Sequence, residues 1–154
     1  MKLSEHLRSD AILVNYPSRT KSDVLDDLTD LVCCAHGLPD RELVHAAILA
    51  REAQVSTGVG CGLAVPHAKI PGIKDLCIAA LVCREGLNFE SQDNGLAHLA
   101  FLILSPENTI GPHMRALSSI SRLMADSQVR AQLIQSTDSE EFMQLLREAE
   151  ERYA

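Results

Sequence analysis

Two histidines stand where chemistry is feasible. His67 follows Pro66 at or just past the end of a short apolar run, Leu63-Ala64-Val65, and the end of an apolar strand is where an α/β sheet presents functional side chains. An imidazole with a reference pKa of about 6.5 is largely neutral near pH 7 and keeps a nucleophilic ring nitrogen available. The plain alternative is a histidine that hydrogen-bonds a neighbouring carbonyl. His113 lies in Gly111-Pro112-His113, at the mouth of a helix that follows a buried strand, so both histidines can reach the same end of the sheet. Helix N-termini favour anions, and a histidine there can hydrogen-bond a phosphoryl or carboxylate oxygen. A solvent-facing helix cap is the equally simple reading of His113.

Just ahead of His67 lies a glycine-rich stretch, with Gly58, Gly60 and Gly62 at alternate positions. The spacing is not that of a dinucleotide fingerprint, and no Lys-Ser/Thr pair follows to make a P-loop. Alternate glycines let backbone amides approach an anion, or they build a sharp turn between packed strands. Thr57 offers a hydroxyl and Arg51 a forked guanidinium to an oxyanion; in the plain reading Thr57 satisfies the turn and Arg51-Glu52 is a solvated helix end. His6, His36, His45 and His98 fit terminal, helical and strand positions without a chemical role. No two histidines are four residues apart, and Cys33, Cys34, Cys61, Cys77 and Cys83 contain no C-x-x-C pair, so neither a metal site nor a cofactor site is expected. An odd set of unpaired thiols fits a reducing, cytoplasmic compartment. Cys61 precedes His67 by six residues, with no spacing reason for contact.

The elements that must position these groups follow from periodicity. Residues 11–16 read as a strand ended by Pro17. A helix starts near Ser18, Thr20 and Ser22, presents Leu25, Leu28, Val32 and Ala35 on one face and stops at Gly37. Pro39-Asp40 opens a second, running to about Glu52. The glycine-rich loop feeds a short strand ending at Pro66-His67. The runs 76–83 and 96–104 are apolar on consecutive residues, as in buried strands, with the turn Asp93-Asn94-Gly95 between them. Helical spacing returns from Gly111, with Met114, Leu117, Ile120 and Leu123 on one face. A short helix around Val129–Gln135 follows, then a last one over Ser139–Arg152 with Ser139 as cap and Glu140 and Glu141 at its N-terminus. Strands alternating with helices over 154 residues imply one α/β domain, residues 1–154, with a mixed β-sheet flanked by helices.

Composition narrows the function classes. Lysine and arginine total 14 against 21 acidic residues, and the aromatic residues are two tyrosines and three phenylalanines, with no tryptophan. An acidic surface with few stacking platforms argues against a nucleic-acid partner. No apolar run approaches the roughly 20 residues that span a bilayer, and no signal core follows Met1-Lys2-Leu3-Ser4-Glu5; a cytoplasmic protein without membrane insertion is expected.

The run Arg51-Glu52, Ser56-Thr57-Gly58-Val59-Gly60 and Leu63-Ala64-Val65-Pro66-His67 resembles the fructose/mannitol/nitrogen class of enzyme IIA of the phosphoenolpyruvate phosphotransferase system. Asp93-Asn94-Gly95, Leu102-Ile103-Leu104-Ser105-Pro106, His113 and the closing Leu145-Leu146 helix extend the resemblance over nearly the whole chain. It implies that His67 accepts a phosphoryl group from the phosphocarrier protein HPr or its nitrogen-branch counterpart, and that His113 lies beside it and supports that group. Arg51, Thr57 and Gly58 would line the same pocket. Phosphoryl transfer through a loose transition state needs in-line positioning and donors to the equatorial oxygens, so no metal or nucleotide is implied, and a partner must approach an apolar rim around His67. The resemblance leads to a nitrogen-regulatory enzyme IIA that acts on other proteins according to its phosphorylation state. The alternatives are a sugar-specific enzyme IIA that passes phosphate to an enzyme IIB, and an interaction module that carries none. Ala68 stands where many members have glycine, and His98 where an acidic or small residue is more familiar.

Overall fold

The computed structural model describes residues 1–153. At its centre two long strands, β5 (Cys77–Leu87) and β6 (Ala97–Pro106), run antiparallel in the register Ile78 to Ile103 and Ala80 to Phe101. Residues 78–83 and 99–104 are all at most 1% exposed, which requires cover on both faces of the sheet. That explains why these strands are apolar on consecutive residues. β1 (Leu7–Leu13) lies parallel to β5 on one side. On the other side β3 (Leu63–Ala64) and β4 (His67–Ile70) both run parallel to β6, and β2 (Gly58–Gly60) pairs with β3 at the margin.

Helices α1 (Lys21–His36) and α2 (Arg41–Gln54) pack on each other and against β1, β5 and β4. Helices α3 (Gly111–Met124), α4 (Ser127–Ile134) and α5 (Ser139–Arg152) pack against β6, β5 and β1. α1 starts with the Thr20 hydroxyl accepting from the Asp23 amide and stops at Gly37, whose φ of 67° is left-handed. The mixed sheet flanked by helices is the architecture that the periodicity implies.

Several boundaries differ from expectation, each for a local reason. The first strand is Leu7–Leu13, not 11–16: as an edge strand it turns Arg8 and Asp10 to solvent as an ion pair, so after Leu7 only its second half is apolar. α4 begins two residues before Val129, capped by Asp126, and the cap of α5 is Asp138, which accepts from the Glu141 amide, so Ser139 is already helical.

The glycine-rich stretch is not a loop. It is the hairpin β2–β3, closed by the two-residue turn Cys61-Gly62 with φ of 55° and 77°, the pairing of positive φ values that matches the twist of antiparallel strands. Asp93 accepts from the Cys61 amide at 3.0 Å and steadies the unfavourable φ at the cysteine. Pro66, with no amide hydrogen, ends β3, while its carbonyl accepts from the Ile103 amide at 3.0 Å. The chain therefore stays on the edge of β6, and His67 opens β4 instead of closing an apolar strand.

Candidate functional site

His67 is oriented by its own backbone. Its Nδ1–H donates to the Val65 carbonyl at 2.7 Å. A carbonyl only accepts, so the proton sits on Nδ1 and the lone pair on Nε2. Burial is the main force holding the His67 pKa below the ordinary imidazole value; the Val65 bond opposes it, Arg51 adds to it and Glu52 opposes it. The ring is thus a neutral nucleophile with one free nitrogen.

His113 reaches the same place from the first turn of α3. Its Nδ1 shares a hydrogen bond with the buried Ser105 hydroxyl at 2.5 Å, and Ser105 is the β6 partner of Lys69 on β4. The two imidazoles meet edge to face, with ring centroids 5.2 Å apart. At 8% exposure His113 is buried, which discards the solvent-facing cap. Burial, then His67, Lys69 and Arg51, lower its pKa. Neutral rings pack together at no charge cost, and Arg51 and Lys69 make the surroundings cationic.

Protonation of the His67 ring consumes the lone pair, so acceptance of an electrophile must fall as pH drops through the folded pKa. That pKa is depressed, so acceptance by His67 is expected to stay flat through pH 7 and to decline only below pH about 6.5. A single-turnover pH profile with a pre-phosphorylated donor, beside an NMR titration of the imidazole, checks this; a midpoint above the ordinary imidazole value would contradict it.

The remaining expected site residues take more indirect positions. Arg51, in the last turn of α2, donates through one Nη1 to the Val55 carbonyl at 3.1 Å, and its other donors are uncommitted. Glu52 is turned inward, against the expectation of a solvated Arg-Glu pair; at 8% exposure its Oε1 accepts from the Thr57 amide at 2.8 Å and its Oε2 from the Thr57 hydroxyl at 2.6 Å. Lys21 at the start of α1 completes the neutralisation, with Nζ 2.8 Å from Oε1. The Thr57 hydroxyl is therefore committed within the protein and does not face an oxyanion. Nor is the Gly58 amide free, since it donates to Ser56 Oγ at 3.1 Å. Gly58 is there for closeness: a Cβ would stand 2.5 Å from Ser91 Oγ and 2.8 Å from Ser91 Cα.

Sequence reasoning missed Glu52, Lys21, Ser105 and Lys69 as contributors. Lys69 was legible, because residues 67 and 69 of one strand share a face. His98 is structural: Nδ1 donates to the Cys83 carbonyl, and its ring fills the space over Gly62 and Gly86. Among the described residues the one grouping of three acidic side chains close enough for a metal, Asp26, Asp27 and Asp30, is bridged by Arg41 through Asp26 and Asp30.

The fold thus sets a neutral, one-sided imidazole against a second histidine in a cationic pocket, an arrangement chemically able to take an anionic electrophile on nitrogen. Residues 5–149 match the family described as phosphoenolpyruvate-dependent sugar phosphotransferase system, EIIA 2, and the chain belongs to that family, whose domains are phosphotransferase components. It is 35% identical over 95% of its length to the fructose-specific EIIABC component of Bacillus subtilis, of which it spans 23%. It is 32% identical to a fructose-specific EIIA component of Haloferax volcanii, covering 91% of each chain. Its structure superimposes with a TM-score of 0.86 on nitrogen regulatory protein IIA-Ntr from Neisseria meningitidis, at 28% identity over 94% of this chain and 98% of that one. Among the described residues no helix is long and apolar enough to cross a membrane.

Proposed function

We propose that the chain, as one domain over residues 1–154, is a cytoplasmic phosphoryl carrier that accepts a phosphoryl group on Nε2 of His67 from an HPr-like phosphocarrier protein. The observation that carries this reading is the Nδ1–H bond to Val65, which leaves Nε2 as the sole lone pair of a neutral ring. In the step, the Nε2 lone pair forms the new P–N bond while the bond from phosphorus to the carrier breaks and its electron pair leaves with the carrier. The proton stays on Nδ1, in its hydrogen bond to the Val65 carbonyl. No proton needs to move, in keeping with a loose transition state governed by position and charge.

His113 and Arg51 support the developing charge. When Ser105 donates to His113 Nδ1 the proton is on Nε2, which makes His113, packed against the His67 ring, a donor to a phosphoryl oxygen, and Arg51 offers the N–H groups that Val55 does not take. Thr57 and Gly58 serve by shaping the backbone around them. Exposed apolar residues flank His113 and Thr57 in the chain, Ile110 and Met114 about His113 and Val55 and Val59 about Thr57, with Ile110 71% exposed. That rim fits a protein partner brought into contact at the ring.

His113→Ala is expected to accept phosphate from the carrier but to donate it about tenfold to a hundredfold more slowly, the scale of losing one hydrogen bond to a charged group. Chase of labelled protein with acceptor measures this; donation at the native rate would reduce His113 to packing.

Two outlets for the phosphate have support. The close superposition on a nitrogen regulatory protein over nearly the whole of both chains favours a regulator that acts through its phosphorylation state. The stand-alone fructose-specific relative of matching length favours a sugar system with an enzyme IIB as acceptor. Incubating the labelled protein with a fructose-type enzyme IIB separates them: rapid transfer selects sugar transport, and retention of label selects regulation.

A further inference from the structure

A continuous line of hydrogen bonds runs from the N-terminus of α1 to the reactive ring. Lys21 Nζ lies 2.8 Å from Glu52 Oε1. Glu52 holds Thr57 by both its amide and its hydroxyl. The Thr57 carbonyl accepts from the Val65 amide at 2.9 Å, and the Val65 carbonyl accepts from His67 Nδ1–H at 2.7 Å. Every member except His67 and Lys21 is under 9% exposed, and Lys21, with its side chain 17% exposed, sits over the Phe89 ring at 4.9 Å. We propose that Glu52, neutralised by Lys21, is a positioning residue that fixes the orientation and tautomer of His67 through Thr57 and Val65.

The physical need is specific. A phosphoryl acceptor must keep its lone pair on one nitrogen and aim it in line with phosphorus, and an error of an ångström is costly. Val65 sits between β3 and β4, a two-residue break in the ladder around Pro66, where regular sheet pairing does not hold the carbonyl. The Thr57–Val65 bond supplies the missing constraint, and Glu52 supplies Thr57 with partners that no strand provides. A buried carboxylate beside an incoming phosphoryl group would repel it, so its charge has to be cancelled from another element. Lys21 does that from α1. The charged and titratable groups that face the two rings are Arg51 and Glu52 from α2, Lys69 from β4, and His67 and His113 themselves.

The inference rests on His67 being the phosphoryl acceptor only for its kinetic arm. The ¹⁵N spectrum of the His67 ring in the unphosphorylated protein reads the tautomer directly, and single-turnover transfer from phospho-HPr reads function. In Glu52→Ala the Nδ1–H form should give way to a mixture of tautomers, and the maximal single-turnover rate should fall about tenfold with little change in the carrier concentration that gives half of it. Glu52→Gln, which keeps an acceptor for the Thr57 amide, should retain the Nδ1–H form while lowering the imidazole pKa. Lys21→Met should raise that pKa by about half a pH unit or more by exposing His67 to an uncancelled carboxylate. Opposite displacements from the last two variants are not produced by loosened packing, and they remain readable if Glu52→Ala does not fold. An unchanged tautomer in Glu52→Ala, or displacements of the same sign in Glu52→Gln and Lys21→Met, would overturn the proposal. Tautomer changes as expected in a protein that takes no label would instead overturn phosphoryl acceptance and leave the network standing.

Discussion

Replacing His67 with alanine is expected to reduce phosphoryl acceptance to background. With phosphoenolpyruvate, enzyme I and an HPr-like carrier, the native chain should acquire acid-labile, base-stable label, and His67→Ala should acquire none. The second imidazole does not take over: at 8% exposure His113 is too deeply buried for a protein-bound phosphorus to approach it in line. The loss is chemical, not structural. Among the described residues the His67 ring hydrogen-bonds Val65 alone, and losing that bond costs about 1 kcal/mol, or about 2–4 °C of melting temperature in a chain of this size. A labelled His67→Ala protein, or a native protein that takes no label from a competent carrier, would remove the phosphoryl-carrier reading.

How much of this was open to a reader of the sequence depends on the range of the interaction. The central strands were legible because double-sided burial writes itself as consecutive apolar residues at 78–83 and 99–104. The helices were legible from three- and four-residue spacing, with Thr20, Gly37 and Asp40 as punctuation. The pairing of His67 with His113 followed from placing both at the mouth of the sheet, and the edge-to-face contact supplies it. Glu52 was not legible. On a helix its neighbour Arg51 reads as a partner, and only the packing of α1 on α2 brings Lys21 to it across 31 positions of the sequence. The same holds for Ser105, whose hydroxyl matters only because α3 lays His113 against β6. The alternate glycines gave the right signal for the wrong service, since positive φ at Gly62 and close packing at Gly58 absorb what looked like an anion cradle. Local periodicity specifies elements; the site is made of contacts between elements, to which periodicity is blind.

That distinction sharpens the expectation for Gly58→Ala, a large stability effect close to the site. The added methyl would meet Ser91 Oγ at 2.5 Å, Ser91 Cα at 2.8 Å and the Phe89 carbonyl at 3.1 Å. The hydroxyl can rotate away, but the other two atoms are backbone, and Phe89 is fully buried. The two segments cannot separate cheaply, because the Gln92 amide donates to the Gly58 carbonyl at 2.9 Å and Ser56 Oγ donates to the Phe89 carbonyl at 2.8 Å. Overpacking of this kind costs about 3 kcal/mol, which lowers the melting temperature by about 6–12 °C. The displacement also passes to Thr57, one residue away, and through its carbonyl to Val65 and the His67 ring, so the folded fraction should accept phosphate more slowly than the native protein. Adding Ser91→Ala removes the 2.5 Å contact alone, and a partial recovery of stability is expected. Full recovery in that double variant would show that the hydroxyl, not the backbone, was the obstacle. A melting temperature unchanged in Gly58→Ala would mean that the glycine is not held there by close packing.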